Sequence, residues 1–343
     1  MKFNKKKATA FAALVASVAL VASACGGSDE KSGGDAKSGK SVSVTFLPKN
    51  LGNPYFDTSD AGGKKAVAEF GGKFAEVGPQ EASPEGQVPF INTAAQQGIN
   101  ALVVSANDPK AIGDALNEAR DAGTKVVTFD SDTDPKYRDL FINQASAEGI
   151  AKSQVDMVAE QIGDEGEVAI LSASANATNQ NAWIKLMEAD LKANHPKIKL
   201  VDTVYGDDDD QTSFDKTAAL LQSNPDLKAI ISPTTVGIAA AARYVADSDF
   251  KGKVKVTGLG TPNQMREYVN NGTVDAFALW NPEDLGYLAA FAAKALVDGD
   301  ISGKEGDKFK GGKLGEFTVG KNGEVLLGDP FVFNKENIAD FKF

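Results

Sequence analysis

Apolar positions fall in two rhythms that take turns along the chain. Stretches rich in aliphatic and aromatic residues at 42–47, 73–78, 101–105 and 125–130 read as buried strands. Between them, 57–70, 84–97 and 109–122 carry apolar residues at helical spacing and close on glycines. Such alternation predicts a parallel sheet covered by helices. A loop at 133–140 and a short strand at 141–144 interrupt it, and then it resumes. Helices are expected over 147–162, 179–194, 211–222 and 237–246, and strands over 167–172, 199–205, 229–232 and 253–257. This is a second parallel sheet of similar size. The glycine-rich stretch 258–262 leads to a helix over 263–270, a strand over 274–279 and a helix over 285–297, a tail that the pattern alone assigns to neither half. Two α/β lobes with a cleft between them are the expected product.

The first 25 residues break this rhythm. Lys2, Lys5, Lys6 and Lys7 precede an apolar core at 11–21, too short for a comfortable membrane span, which is the pattern of a secretory leader. It closes on Ala22-Ser23-Ala24-Cys25, which resembles the lipobox of bacterial lipoproteins, with Ala22 where a leucine is usual. Ordinary cleavage after Ala24 is the alternative. Acylation is favoured because Cys25, the single cysteine of 343 residues, stands at the expected junction. Residues 26–40, rich in Gly, Ser, Lys and Asp, hold too little apolar surface to fold and read as a tether. The folded part is expected just outside the cytoplasmic membrane, on its outer face, anchored and not spanning.

Removing the leader's four lysines takes the formal charge from −11 to −15, so nucleic acid is not an expected partner. The 319 residues from Cys25 onward exceed one comfortable core and suggest two domains. With a single cysteine, no internal disulfide can form and apolar packing must hold the fold.

Catalytic signatures are missing: there is no phosphate-binding loop, zinc-helix motif, nucleophile elbow or cysteine pair. His195, the single histidine, stands at a helix end before Pro196 and reads as a surface cap. Residues 207–210 are four aspartates without the alternation or distal glutamate of a calcium loop, and read as a solvated turn. No cofactor, metal or enzymatic activity is expected. What recurs is polar and aromatic residues just past strands: Lys49 and Asn50, Asn107 and Asp108, Asp130 and Asp132, Asn176, Asn179 and Gln180, Pro233 and Thr234, Trp280 and Asn281. In open α/β sheets ligands sit outside the carboxyl ends of the strands. Carboxylates, amides and a lysine beside an aromatic plate suit sugar hydroxyls and the C–H face of a ring. Asp130 on its own fits a turn as well as a ligand site.

On these residues a resemblance becomes specific. Lys49-Asn-Leu-Gly-Asn-Pro-Tyr-Phe56, Phe129-Asp-Ser-Asp132, Asn179-Gln-Asn-Ala-Trp183, Gly260-Thr-Pro-Asn-Gln-Met-Arg266 and Phe333-Asn-Lys-Glu-Asn-Ile338 resemble the sugar-type periplasmic binding proteins of ABC importers. The branch with rhamnose-binding proteins and autoinducer-2 receptors is the most similar. The resemblance implies the type I fold, two Rossmann-like lobes with parallel sheets joined by a three-strand hinge. It implies crossovers near Gln144 and 258–262, a first lobe of 41–144 and 259–325, and a second of 145–258 and 326–343. From the autoinducer-2 receptors it implies ligand contacts by Lys49, Asp130, Asn179, Gln180, backbone groups of Pro233 and Thr235, and the aromatics Tyr55 and Trp280. Asn50, Asp132 and Asn281 complete the expected site. Asn179 departs from those receptors, which carry an aspartate there. An amide replaces a strong acceptor. Asn53-Pro54 and Asn281 look more like the rhamnose binders. The expected ligand is a deoxyhexose, rhamnose, with autoinducer-2 as the alternative. The expected partners are an ABC permease and the membrane through the lipid, for a chain acting as a monomer. A ligand-reporting sensor without transport is the other reading; the leader, standing where a DNA-binding regulator of the lactose-repressor type carries a helix-turn-helix, argues strongly against that third class.

Overall fold

The computed structural model describes residues 41–343; Cys25, the leader and the tether lie outside the described residues. The chain begins β1 (Ser43–Leu47), α1 (Pro54–Glu69), β2 (Lys73–Glu76), α2 (Pro84–Gln97), β3 (Ala101–Val104), α3 (Gly113–Asp121), β4 (Lys125–Phe129) and β5 (Leu140–Asn143). Every residue of β3 is buried, as a parallel strand covered on both faces requires. Helix starts follow local chemistry: Asn53 and Ser83 accept from the N–H groups of Tyr55 and Gly86, with Pro54 and Pro84 in the first turn. Helix α3 starts later than its apolar spacing suggests. Asp108 Oδ1 accepts from the N–H groups of Lys110 and Ala111, both at 2.7 Å, and holds that stretch in a turn.

The chain then crosses over into α4 (Ala147–Ile162), β6 (Gly166–Ser172), α5 (Thr178–Asn194), β7 (Ile198–Tyr205), α6 (Asp210–Ser223), β8 (Leu227–Ser232), α7 (Thr235–Ala246) and β9 (Lys255–Gly258). These strands form a parallel sheet in the order β7-β6-β8-β9. His195 caps the end of α5, its ring nitrogen 2.6 Å from Asp164.

The tail divides differently from the expected boundary at 259. Helix α8 (Pro262–Asn270) packs on α7, and β10 (Ala276–Leu279) runs beside β9. Leu259 bridges Ala278 in parallel, Gly260 N–H donates to the Ala278 carbonyl at 3.1 Å, and the Thr257 hydroxyl donates to the Ala276 carbonyl at 2.9 Å. Residues 259–279 therefore belong with the second sheet. The return to the first lobe comes after Leu279, where α9 (Pro282–Asp298) packs along α1 and under β3 and β4. That packing needs glycine on both helices. A Cβ on Gly62 would sit 1.9 Å from the Glu283 carbonyl oxygen, and one on Gly286 would sit 1.7 Å from that of Ser59.

A hairpin, β11 (Lys308–Lys310) and β12 (Glu316–Thr318), follows, and β13 (Glu324–Leu326) then joins the first sheet beside β5. The first sheet is parallel throughout, in the order β13-β5-β4-β3-β1-β2. A last crossover takes the chain to β14 (Phe331–Asn334), antiparallel to β10 on the second lobe. Three crossovers thus link the lobes, and the α/β class with two parallel sheets is the expected one. Among the described residues no helix is long and apolar enough to cross a membrane.

Candidate functional site

The carboxyl ends of both sheets face one cavity, which holds about 370 Å³ of space not occupied by atoms. The first lobe contributes Lys49, Asn53, Tyr55, Phe56 and Asp130; the second contributes Asn179, Gln180, Trp183, Asp208, Pro233, Thr234, Thr235 and Leu259. Leu279 and Trp280, on the second crossover, close it.

Lys49 reaches the cavity because the loop after β1 is pinned from behind. Gln87 donates to the carbonyls of Pro48 (3.1 Å) and Ser105 (2.7 Å) and accepts from Asn107 N–H, while Asn107 donates to the Lys49 carbonyl at 2.9 Å. Its ammonium lies 3.9 Å from Asp130 Oδ2 and donates to Asn179 Oδ1 at 3.1 Å. Asp130 directly follows β4 in a left-handed backbone conformation, φ 60°, which turns its carboxylate inward. Such a conformation is strained for a non-glycine residue and is kept where the surroundings over-determine it. The Ser105 hydroxyl donates to Oδ2 at 2.8 Å. Burial raises the Asp130 carboxyl above its usual range against the opposing pull of Lys49, and burial likewise raises the Tyr55 phenol.

The aromatic wall is built from three elements. Trp280 Nε1 donates to the Tyr55 hydroxyl at 2.9 Å, and the two rings meet edge to face at 6.1 Å. Trp183, one turn into α5, meets Trp280 at the same centroid distance with the planes 64° apart. Gln180 turns its carbonyl back into the second lobe, accepting from the Ser172 hydroxyl and Ala173 N–H at 2.9 Å each. Its amide nitrogen is the end left for the cavity.

Of the residues expected from sequence, Lys49, Tyr55, Asp130, Asn179, Gln180, Pro233, Thr235 and Trp280 line this cavity. Three do not. Asp132 is paired with Arg138 in a two-pronged contact, 2.6 Å from Nε and 2.7 Å from Nη2, and accepts from the Thr128 hydroxyl. Asn50 borders an adjoining recess beside Gln80 and Glu81. Asn281 caps α9, accepting from Glu283 N–H at 3.0 Å, and faces a recess on the far side of Trp280. Local partners capture the side chains of Asp132 and Asn281. Conversely, Asp208, expected in a solvated turn, lines the cavity, and Asn53, Phe56 and Trp183 join it. Phe56 and Trp183 were already inside the motifs that carry the resemblance. Asp208 stands three residues past β7, so the strand-end rule applied to it too, but its run of four aspartates was read as a solvated turn.

Two doubly wound lobes that enclose buried acceptors, one ammonium and a wall of aromatics at their strand ends define a solute-binding protein. A model of the periplasmic binding protein domain matches residues 44–301, and the chain belongs to that family, among the sugar-binding solute-binding proteins of ABC transporters. These are binding proteins, not enzymes. A sugar ABC transporter structure from Actinomyces odontolyticus is 55% identical, with 88% of this chain and 98% of that one covered at a TM-score of 0.72. An ABC transporter solute-binding protein from Clostridium phytofermentas with bound L-rhamnose is 38% identical, with the same coverage and a TM-score of 0.84. LsrB from Clostridium saccharobutylicum in complex with AI-2 is 28% identical, with 88% and 100% covered and a TM-score of 0.84. Among curated relatives, the D-ribose/D-allose-binding protein of Pseudomonas aeruginosa is 26% identical over 75% of this chain and 79% of its own length.

Proposed function

We propose that this chain captures a neutral deoxyhexose, L-rhamnose, between its lobes and delivers it to an ABC permease, as a monomer held outside the cytoplasmic membrane by a lipid on Cys25. The observation that carries the ligand is the likeness, at 38% identity over almost the whole folded part, to a protein with L-rhamnose bound. The cavity's chemistry supports it. Asp130 and Asn179 with Lys49 offer acceptors and donors to hydroxyls, while Phe56, Leu259 and Leu279 form an apolar patch. A methyl suits such a patch better than a hydroxymethyl, which would lose its hydrogen bonds there. The autoinducer-2 reading draws on the likeness to LsrB and on Lys49, Asp130 and Gln180. Asn179 stands against it.

Calorimetric titration of the mature chain with L-rhamnose, D-ribose, D-allose and AI-2 tests the choice. L-rhamnose is expected to bind tightest. Tightest binding of AI-2 or of a pentose would overturn the deoxyhexose reading.

A further inference from the structure

We propose that Asp208 is the ligand-binding carboxylate of the second lobe, filling the acceptor role that an amide at Asn179 cannot. The inference rests on the sugar-binding reading above and adds to it a residue that sets which hydroxyl pattern the site accepts.

Four aspartates follow β7, and three of them are otherwise engaged or turned outward. Asp209 caps α6, accepting from Thr212 N–H at 2.7 Å. Asp210 pairs with Arg243 at 2.7 Å. Asp207 is exposed. Asp208 alone lines the cavity. Its direction is set by the backbone: Asp207 and Asp208 both adopt left-handed conformations, φ 56° and 52°. Side chains other than glycine take that region rarely. Two bonds hold the turn, from Gly206 N–H to the Ser172 carbonyl and from Asp207 N–H to the Ala173 carbonyl, each 2.9 Å. Asp208 Oδ1 takes the Thr234 hydroxyl. That bond settles the rotamer and leaves Oδ2 as the acceptor for a ligand.

The charge arrangement gives this position a purpose. Burial raises the carboxyls of both Asp130 and Asp208 above the usual range, Lys49 opposes that rise at each, and the two groups belong to different lobes. A charge-assisted hydrogen bond to a hydroxyl is roughly twice as strong as a neutral one. A sugar with hydroxyls directed at both carboxylates collects both bonds only when the lobes are together, which ties closure to ligand identity. Asn179 then serves as the neutral link from Lys49 to the second lobe. A third carboxylate at that point, 3.5 Å from Asp130 Oδ2, would add like-charge repulsion.

The test uses the mature chain and first asks which sugar of the panel above the unaltered protein binds. That sugar is then titrated into Asp208→Asn, Asp207→Asn and Thr234→Val. Asp208→Asn is expected to bind at least about tenfold more weakly, with the unliganded melting temperature nearly unchanged. Asp207→Asn should bind as the unaltered protein does. Thr234→Val should lose affinity in the native background but cause no further loss when added to Asp208→Asn. Binding by Asp208→Asn within twofold of the unaltered protein overturns the inference. Should that variant not fold, Asp208→Glu decides, since moving the charge by one methylene must weaken a direct contact. If the unaltered protein prefers a sugar other than L-rhamnose, the ligand choice falls and Asp208 is still judged on the preferred sugar. If it binds no sugar, both readings fall together.

Discussion

Lys49 and Asn179, 130 positions apart in the chain and on opposite lobes, meet at 3.1 Å, with the ammonium donating to the amide oxygen. The same ammonium is the cation beside Asp130, whose side chain is almost wholly buried. One side chain therefore bridges the lobes and neutralises the first lobe's acceptor. Lys49→Met should remove both effects. Affinity for the sugar is expected to fall roughly 10- to 150-fold, the worth of one hydrogen bond to a charged group. The Asp130 carboxyl, already raised by burial, should rise further. A folded-state value raised above the unfolded one contributes stability at low pH that is lost as pH climbs through it. Unliganded Lys49→Met should thus lose more stability than the native chain between pH 5 and pH 8. Equal pH dependence in the two proteins would count against the pairing.

Both tryptophans report on the cavity, because Trp183 and Trp280 line it together with centroids 6.1 Å apart. A change in emission on sugar binding should survive either single replacement by phenylalanine. It should disappear in the double variant. Affinity should fall more for Trp280→Phe, by about tenfold, since that change also removes the donor to the Tyr55 hydroxyl.

Asp132 is expected to matter for stability and not for binding. Its partner Arg138 has a side chain 3% exposed and also donates to the Asn322 carbonyl at 2.7 Å, tying the segment before β13 to the first lobe. Asp132→Ala leaves that guanidinium buried without its counter-ion, a loss of about 3 kcal/mol or more. Chemical denaturation should register it while titration gives native affinity. A stable variant with weak binding would return Asp132 to the ligand site.

Asp60 carries a pH signature of its own. It is 2% exposed on α1, accepts from the Ser59 hydroxyl at 2.9 Å, and has Glu76 and Asp57 close by. Burial first, and then those carboxylates, hold its carboxyl well above the usual value. The folded state therefore favours the proton, and this contribution is full in acid and lost as pH rises through the folded value. Asp60→Asn should raise the melting temperature at pH 8 and make little difference at pH 4. A variant less stable at pH 8 would show that the charged form is satisfied.

Anchoring is checked by fractionation. Cys25→Ala should move the protein from the membrane fraction to the soluble one with its affinity for sugar unchanged. Retention in the membrane fraction would sink the lipid on Cys25.

The strand-helix alternation was legible because it is a local property: a parallel strand covered on both faces must be largely apolar, as β3 is throughout and β4 is but for Lys125 and Thr128. Most of the cavity was legible for a related reason. Residues just past the strands of such a sheet face its ligand edge, so Lys49, Asp130, Asn179 and Thr235 could be placed there by position and by resemblance. Non-local choices had to wait for the tertiary structure. Whether β10 pairs with β9 or returns to the first sheet depends on which surface accepts it. That was decided by the bridge from Leu259 to Ala278 and by the close seating of α9 on α1 at Gly62 and Gly286. Side-chain direction was equally out of reach. Asp130 and Asp208 point inward because their backbones turn left-handed, and Asp132 turns away because Arg138 claims it. Residue type and spacing carry the period of an element, but backbone handedness and the capture of a charge by a distant partner arise only once the lobes have packed.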